Sequence, residues 1–371
     1  MNSIKPVLSV ALCFFVLVSC RAQSTLSQLS FESGKTTIIL EKIDMKGEDL
    51  TLPSDVTLKF ANGGCFRNGR IIADNTSISG QKQGIFDQVI ISGNWNVKYI
   101  STVMFKDMSS LNSLKNVFAL ASNSVDNVLI VESGSYKVAA GRSKDRILTV
   151  PSNTEVIING TITMVPNDFP SYNIVYLKGE NIKLHGNGKI VGDKCTHKGK
   201  DGEWGMGITL AGCHNVQING LTVSDCWGDC IYVGSRSTEV YINNCTLEDG
   251  RRQGISITSA GNVLIENCVI ANVGGTPPGF AIDIEPNKDD TVDSVIIRNV
   301  KSIDCQGGFL TWGGARGCLI DNVQFIDCYV EGASKPAYSF NTTNNIKFVN
   351  CTSDKSIPPK VTKCNNFVIC E

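Results

Sequence analysis

A chain of 371 residues with a formal net charge of −1 and 42% hydrophobic residues can bury a large core, and that charge leaves no basic footprint for a nucleic-acid partner. Thirty-five glycines and 15 cysteines stand against 3 histidines, a mixture that favours short strands and tight turns over helices. His185, His197 and His214 share no metal-ligand spacing, which argues against a zinc centre.

The first twenty residues read as an export signal: Lys5, then an apolar run over residues 6–18, then Leu17-Val18-Ser19-Cys20, which matches a bacterial lipobox. The run is too short to stay in a bilayer as a spanning helix. Lipidation at Cys20 would tether the mature chain to the cell envelope, periplasmic or surface-facing, with residues 21–35 as a polar linker and the lipid as the only membrane contact. Ordinary cleavage after Ala22 would instead release a secreted protein. Without Cys13 and Cys20, 13 cysteines remain, an odd number that cannot all pair.

Residues 36–371 read as one domain. In residues 36–125, short apolar strands such as Thr37-Ile-Ile-Leu and Val89-Ile-Ile-Ser alternate with Gly and Asn and look like entry coils. Residues 104–124 are the one helical interruption, with Asp107 as a capping residue ahead of spaced leucines. From residue 126 a main solenoid follows, and from Val216 it repeats every twenty-odd residues. Val216-Gln-Ile-Asn-Gly, Val240-Tyr-Ile-Asn-Asn-Cys, Val263-Leu-Ile-Glu-Asn-Cys, Val295-Ile-Ile-Arg-Asn-Val, Leu319-Ile-Asp-Asn-Val and Ile346-Lys-Phe-Val-Asn-Cys are short alternating strands that end in Asn.

Asn tolerates the left-handed backbone of a sharp corner, so Asn219, Asn244, Asn267, Asn299, Asn322 and Asn350 are expected to stack as a ladder. Cys245, Cys268, Cys305, Cys328 and Cys351 are expected to stack beside it as a buried thiol column. Residues 365–371 and the segment after the signal are candidate end caps. A second strand follows each corner. Its inward set should be Ile231/Val233, Ile255/Ile257, Ile282/Ile284, Leu310/Trp312 and Tyr338/Phe340. Its outward row should be Tyr232, Ser256, Asp283, Thr311 and Ser339. The predicted fold is therefore all-β, a single-stranded parallel β-helix.

Polar residues crowd one stretch of that row: Trp227, Asp229, Tyr232, Asp249, Arg251, Arg252, Gln253, Asp283 and Glu285. Gly228-Asp229-Cys230-Ile231 resembles the second half of the G-D-D-C-I motif of polygalacturonases, within the right-handed, pectin-lyase-like β-helix superfamily. Arg252-Gln253-Gly254-Ile255-Ser256-Ile257 resembles their G-H-G-L-S-I strand, and Ala281-Ile282-Asp283-Ile284-Glu285 stands where they carry G-I-R-I-K. The resemblance covers residues 216–287 and implies a right-handed helix with a glycan laid along its outer face. Only Asp229 of the family's catalytic carboxylates is kept. Gln253 replaces the His, and acids replace the Arg and Lys that hold a uronate, which argues against polygalacturonate in the same pose. The motif pair is also similar to that of phage tailspike-like β-helix proteins with R-R-Q-G-I-S-I followed by I-D-I-E-P-N.

Three functions fit these residues, each with a polysaccharide or oligosaccharide as partner. In a glycoside hydrolase, Asp283 and Glu285, with Asp229 as a third carboxylate, would supply acid and base, and Arg251 or Arg252 would orient substrate; this needs no cofactor. Asp283 and Glu285 lie two apart on one strand, with Cα atoms roughly 6.5–7 Å apart, near the roughly 6.5–9.5 Å carboxyl spacing of inverting enzymes. In a lyase, Asp229, Asp249, Asp283 and Glu285 would bind Ca²⁺ against a uronate, with Arg252 as base. In a non-catalytic solenoid the same acids would be a solvated row balanced by Arg251 and Arg252. Trp227 is a candidate sugar-stacking platform, Trp312 is expected in the core, and residues 194–204 form an excursion loop flanking the groove.

Overall fold

The computed structural model describes residues 26–123 and 125–370. The signal segment and Cys20 lie outside the described residues. Residues 36–96 build a six-stranded parallel sheet around the long strand Cys65–Gly80. From Tyr99 the chain winds through three further sheets. One of nine strands runs from Asp145–Val150 to Lys360–Thr362, one of eleven from Tyr99–Ser101 to Asn365–Cys370, and one of nine from Ser135–Val138 to Thr352–Ser353. Strands pair in parallel with their counterparts one coil away: Ile231, Ile255, Ile282 and Phe309 stand in register. This is the stacked coil that the twenty-odd-residue repeat demands.

Burial explains why the repeat folds this way. Alternation puts Val240, Val263 and Val295 in one interior column and Ile257 and Ile284 in another, all essentially inaccessible. Each such side chain contributes roughly 1.5–3 kcal/mol when fully buried. One contiguous core extends from Ile39 to Phe348.

The corners are left-handed residues in three stacked rows. Asn244, Asn267, Asn299, Asp327 and Asn350 form one, Asp225, Asp249, Asn272 and Asp304 a second, and Glu239, Asn262, Ser294, Asn322 and Asn345 a third. Amide bonds run up the first edge: Asn243 to Asn219 at 3.0 Å, Asn267 to Asn243 at 2.9 Å and Asn299 to Asn267 at 2.8 Å. Two expected members sit elsewhere. Asn219 ends its strand and Gly220 takes the left-handed position, while Asn322 belongs to the third row and Asp327 fills its place in the first. The thiol column is likewise interrupted. Register places Val300 between Cys268 and Cys328, and Cys305 follows the corner at Asp304 in a different row. All thirteen cysteines among the described residues are free.

Three other expectations change. The helical interruption is short, a 3₁₀ turn Thr102–Met104 and the α-helix Ser113–Phe118, entered at Asn112; Asp107 instead accepts from Ser109 and Ser110 in a turn. Residues 365–370 are the last strand of the eleven-stranded sheet rather than a cap. In Gly307–Trp312, Phe309 pairs with Ile282 and Thr311 with Ile284, so Phe309 and Thr311 point inward and Leu310 and Trp312 outward. The strand is in register from its first residue, Gly307 opposite Phe280, so Phe309 takes the place of Ile282 where the sequence pattern had set Leu310, and one residue of offset reverses every expected side chain.

Candidate functional site

The strands Ile231–Gly234, Ile255–Ile257, Phe280–Ile284 and Gly307–Trp312 lie side by side, and their outward residues Tyr232, Ser256, Asp283 and Leu310 stand in register. A cleft of about 500 Å³ opens over this row. Its floor includes Tyr232, Ser256, Asp283 and Arg252, with Glu285 and Lys288 on one side and Glu203 on the other. Gly254 lets the chain turn tightly below Arg252, because a Cβ there would collide with Ile270 and the Ala281 carbonyl of the next coil.

Arg252 is the hub. Its Nη1 lies 3.5 Å from Asp229 Oδ2 and 3.5 Å from the Ser256 hydroxyl, its Nη2 3.8 Å from Glu285 Oε2, and its Nε 3.8 Å from Glu203 Oε2. Burial pushes the guanidinium toward neutrality, but the charges of Asp229, Asp283, Glu203 and Glu285 outweigh it and hold the proton more firmly than usual.

Asp283 lines the cleft yet is 1% exposed. Gln253 donates its amide to Asp283 Oδ2 at 2.9 Å, and the Gln253 carbonyl accepts the Phe280 N–H at 2.8 Å. Burial, then the neighbouring Glu285 charge, push Asp283 well above the usual carboxylate range. Asp283 therefore holds its proton to a higher pH than an ordinary carboxyl, and its Oδ1 is buried without a protein partner. Asp229 is fully buried behind Arg252; burial pushes it up to about 6 against the opposing pull of Arg252.

Of the residues singled out in the sequence, Asp283, Glu285, Arg252 and Tyr232 line the cleft, and Asp229 adjoins it through Arg252. Gln253 is completely buried, so it positions Asp283 instead of touching substrate. Trp227 is covered on one side by the His197 ring, 3.8 Å centroid to centroid, and by the Arg251 guanidinium at 3.7 Å. Neither Trp227 nor Arg251 faces the cleft. Their stack, with His197 bonded to Asp193 at 2.9 Å, is a plug that holds down residues 194–204. Asp249 sits at a left-handed corner, and its charge acts on Cys195, away from the cleft. The proposed Ca²⁺ set is thus not assembled, and no cluster of three or more metal-ligating side chains occurs among the described residues.

Three wall residues were not read as site residues. Trp204 and Trp312 are 50% and 37% exposed, and Glu203 reaches Arg252 from the excursion loop. The only prior signal for Glu203 and Trp204 was the loop itself. Trp312 was hidden because Gly307-Gly308 give its strand no side chain to mark parity.

A family model described as "Right handed beta helix region" matches residues 117–325 and 206–356, together more than half of the chain. The uncharacterized protein YclG of Bacillus subtilis (strain 168) is 33% identical over 207 residues, 48% of this chain and 35% of its own length. Exopolygalacturonase rpg16 of Rhizopus delemar is 31% identical over 118 residues, 31% of this chain and 23% of its own length. The matched parts thus span about a third or less of these relatives. Among solved structures, an exopolygalacturonase from Thermotoga maritima aligns with TM-score 0.49 and 16% identity, covering 73% of this chain and 81% of that one. The alginate lyase from Paenibacillus sp. str. FPU-7 aligns with TM-score 0.46 and 14% identity, covering 72% and 99%. By the extent of the family match and the stacked parallel coils, the chain belongs to the right-handed parallel β-helix family.

Proposed function

We propose that this protein is a glycoside hydrolase acting on a polysaccharide or oligosaccharide laid across the coils. The observation that carries the reading is Asp283, a carboxyl buried at the floor of an open cleft, held by the Gln253 amide and pushed well above the usual carboxylate range. Such a group suits a general acid, able to protonate a glycosidic oxygen as the bond to the anomeric carbon breaks. Glu285 is the partner that takes the proton of the attacking water. Arg252 orients the carboxylates, and exposed Trp204 and Trp312 offer apolar faces for sugar rings. Elimination fits this setting less well, since Arg252 is held protonated by the surrounding acids and is a poor base.

Export, with Cys20 lipidated, is part of the proposal and would put the cleft where glycans of an envelope or its surroundings are met. Release of reducing ends from a glycan panel, absent in Asp283→Asn, tests the hydrolase reading. Product formation that survives the substitution contradicts it.

A further inference from the structure

The cleft's charge points to the class of glycan it accepts. Two cationic side chains line it among the described residues, and both are engaged. Arg252 is shared among Asp229, Glu203 and Glu285, and Lys288 lies 3.7 Å from Asp289 at the exposed rim. Glu203 and Glu285 flank the guanidinium and are about one-third exposed, so both present charge to whatever enters. A uronate or sulfate would be desolvated against them with no free cation to receive it, and like charges brought together in a partly dry site repel strongly. The floor offers what a sugar hydroxyl needs instead: Asp283 Oδ1 is buried, without a protein partner, on a residue that lines the cleft. Exposed Trp204 and Trp312 add stacking surface that asks for no charge.

We infer that the cleft selects an uncharged glycan and excludes uronate and sulfated ones, with Glu203 as the residue that sets this preference. The inference rests on the glycan-processing reading but concerns binding, so it can fail separately.

The test is retention of the full chain on a glycan array and in affinity gels containing neutral polymers (mixed-linkage glucan, galactomannan, dextran), polygalacturonate or alginate, at low salt. The expected result is binding to at least one neutral glycan and none to the two polyanions. Glu203→Gln and Glu203→Lys, on the partly exposed wall, should raise polyanion binding at least tenfold, the Lys variant more. For these variants the salt dependence should change sign, since screening relieves repulsion in the wild type and weakens attraction in Glu203→Lys. Wild-type preference for polygalacturonate or alginate overturns this inference and leaves the hydrolase reading standing. Binding to no glycan of either kind overturns both.

Discussion

Gln253 holds Asp283 from one side while its own carbonyl is fixed by the Phe280 N–H, so the acid at the cleft floor is locked to the strand start of its own coil. Both Gln253 and Asp283 are buried, and neither bond competes with water. Gln253→Leu should therefore free Asp283 to change rotamer and leave the Phe280 N–H unpaired, at roughly 1–3 kcal/mol for the orphaned group. Thermal unfolding should show that loss. The alkaline limb of the pH–rate profile, set by the proton on Asp283, should move with it, a change that a purely structural role would not produce.

Asp283→Asn keeps the shape and an acceptor for the Gln253 amide but has no proton to give. Turnover should fall by roughly 10²–10⁴-fold, the usual contribution of a positioned acid. Stability should move the other way. A carboxyl whose folded-state pKa is raised loses stability as pH climbs, because the unfolded state releases the proton more readily. The melting temperature of Asp283→Asn minus that of the wild type should therefore grow as pH rises past the usual carboxylate value of 3.8. A gap that shrinks over this range would contradict the buried, proton-holding acid.

Asp229 titrates by the same rule in a lower window. Its pKa rises from 3.8 to about 6, so the wild type should lose stability relative to Asp229→Asn between about pH 4 and pH 6, then keep a constant difference. Two units correspond to about 3 kcal/mol. Arg252 keeps Glu203 and Glu285 as partners in the variant. Paired urea titrations at pH 4 and pH 7 measure the difference directly.

The corner ladder is testable at Asn267, which donates to Asn243 at 2.9 Å, accepts from Asn299 at 2.8 Å and has φ +55°. Asn267→Ala removes both bonds and puts a Cβ in the left-handed region, a conformational cost of roughly 1–2 kcal/mol before any hydrogen-bond loss. Asn267→Gly loses the bonds alone. Urea midpoints should rank wild type above Gly above Ala.

Much of the fold was legible because a parallel coil writes its period into the chain. Val240, Val263 and Val295 recur before Asn corners, and stacking is the way such short strands all find partners. The outward row through Tyr232, Ser256 and Asp283 followed from alternation alone. Alternation failed where a strand opens on two glycines: Gly307-Gly308 carry no side chain to mark parity, and Trp312 emerges in the cleft wall. Chain order also cannot say which polar residues in a turn face the groove. Trp227 and Arg251 lie next to Asp229 and Arg252 in sequence but stack with His197 away from the cleft. Glu203 arrives from a loop with no period, placed by the plug beneath it.

The most direct test of the central claim is product analysis on a neutral glycan that the protein binds, comparing the wild type with Asp283→Asn. The account predicts new reducing ends with no ultraviolet absorbance of an unsaturated sugar from the wild type, and neither from the variant. Unsaturated product, or equal release of reducing ends by both proteins, would contradict it.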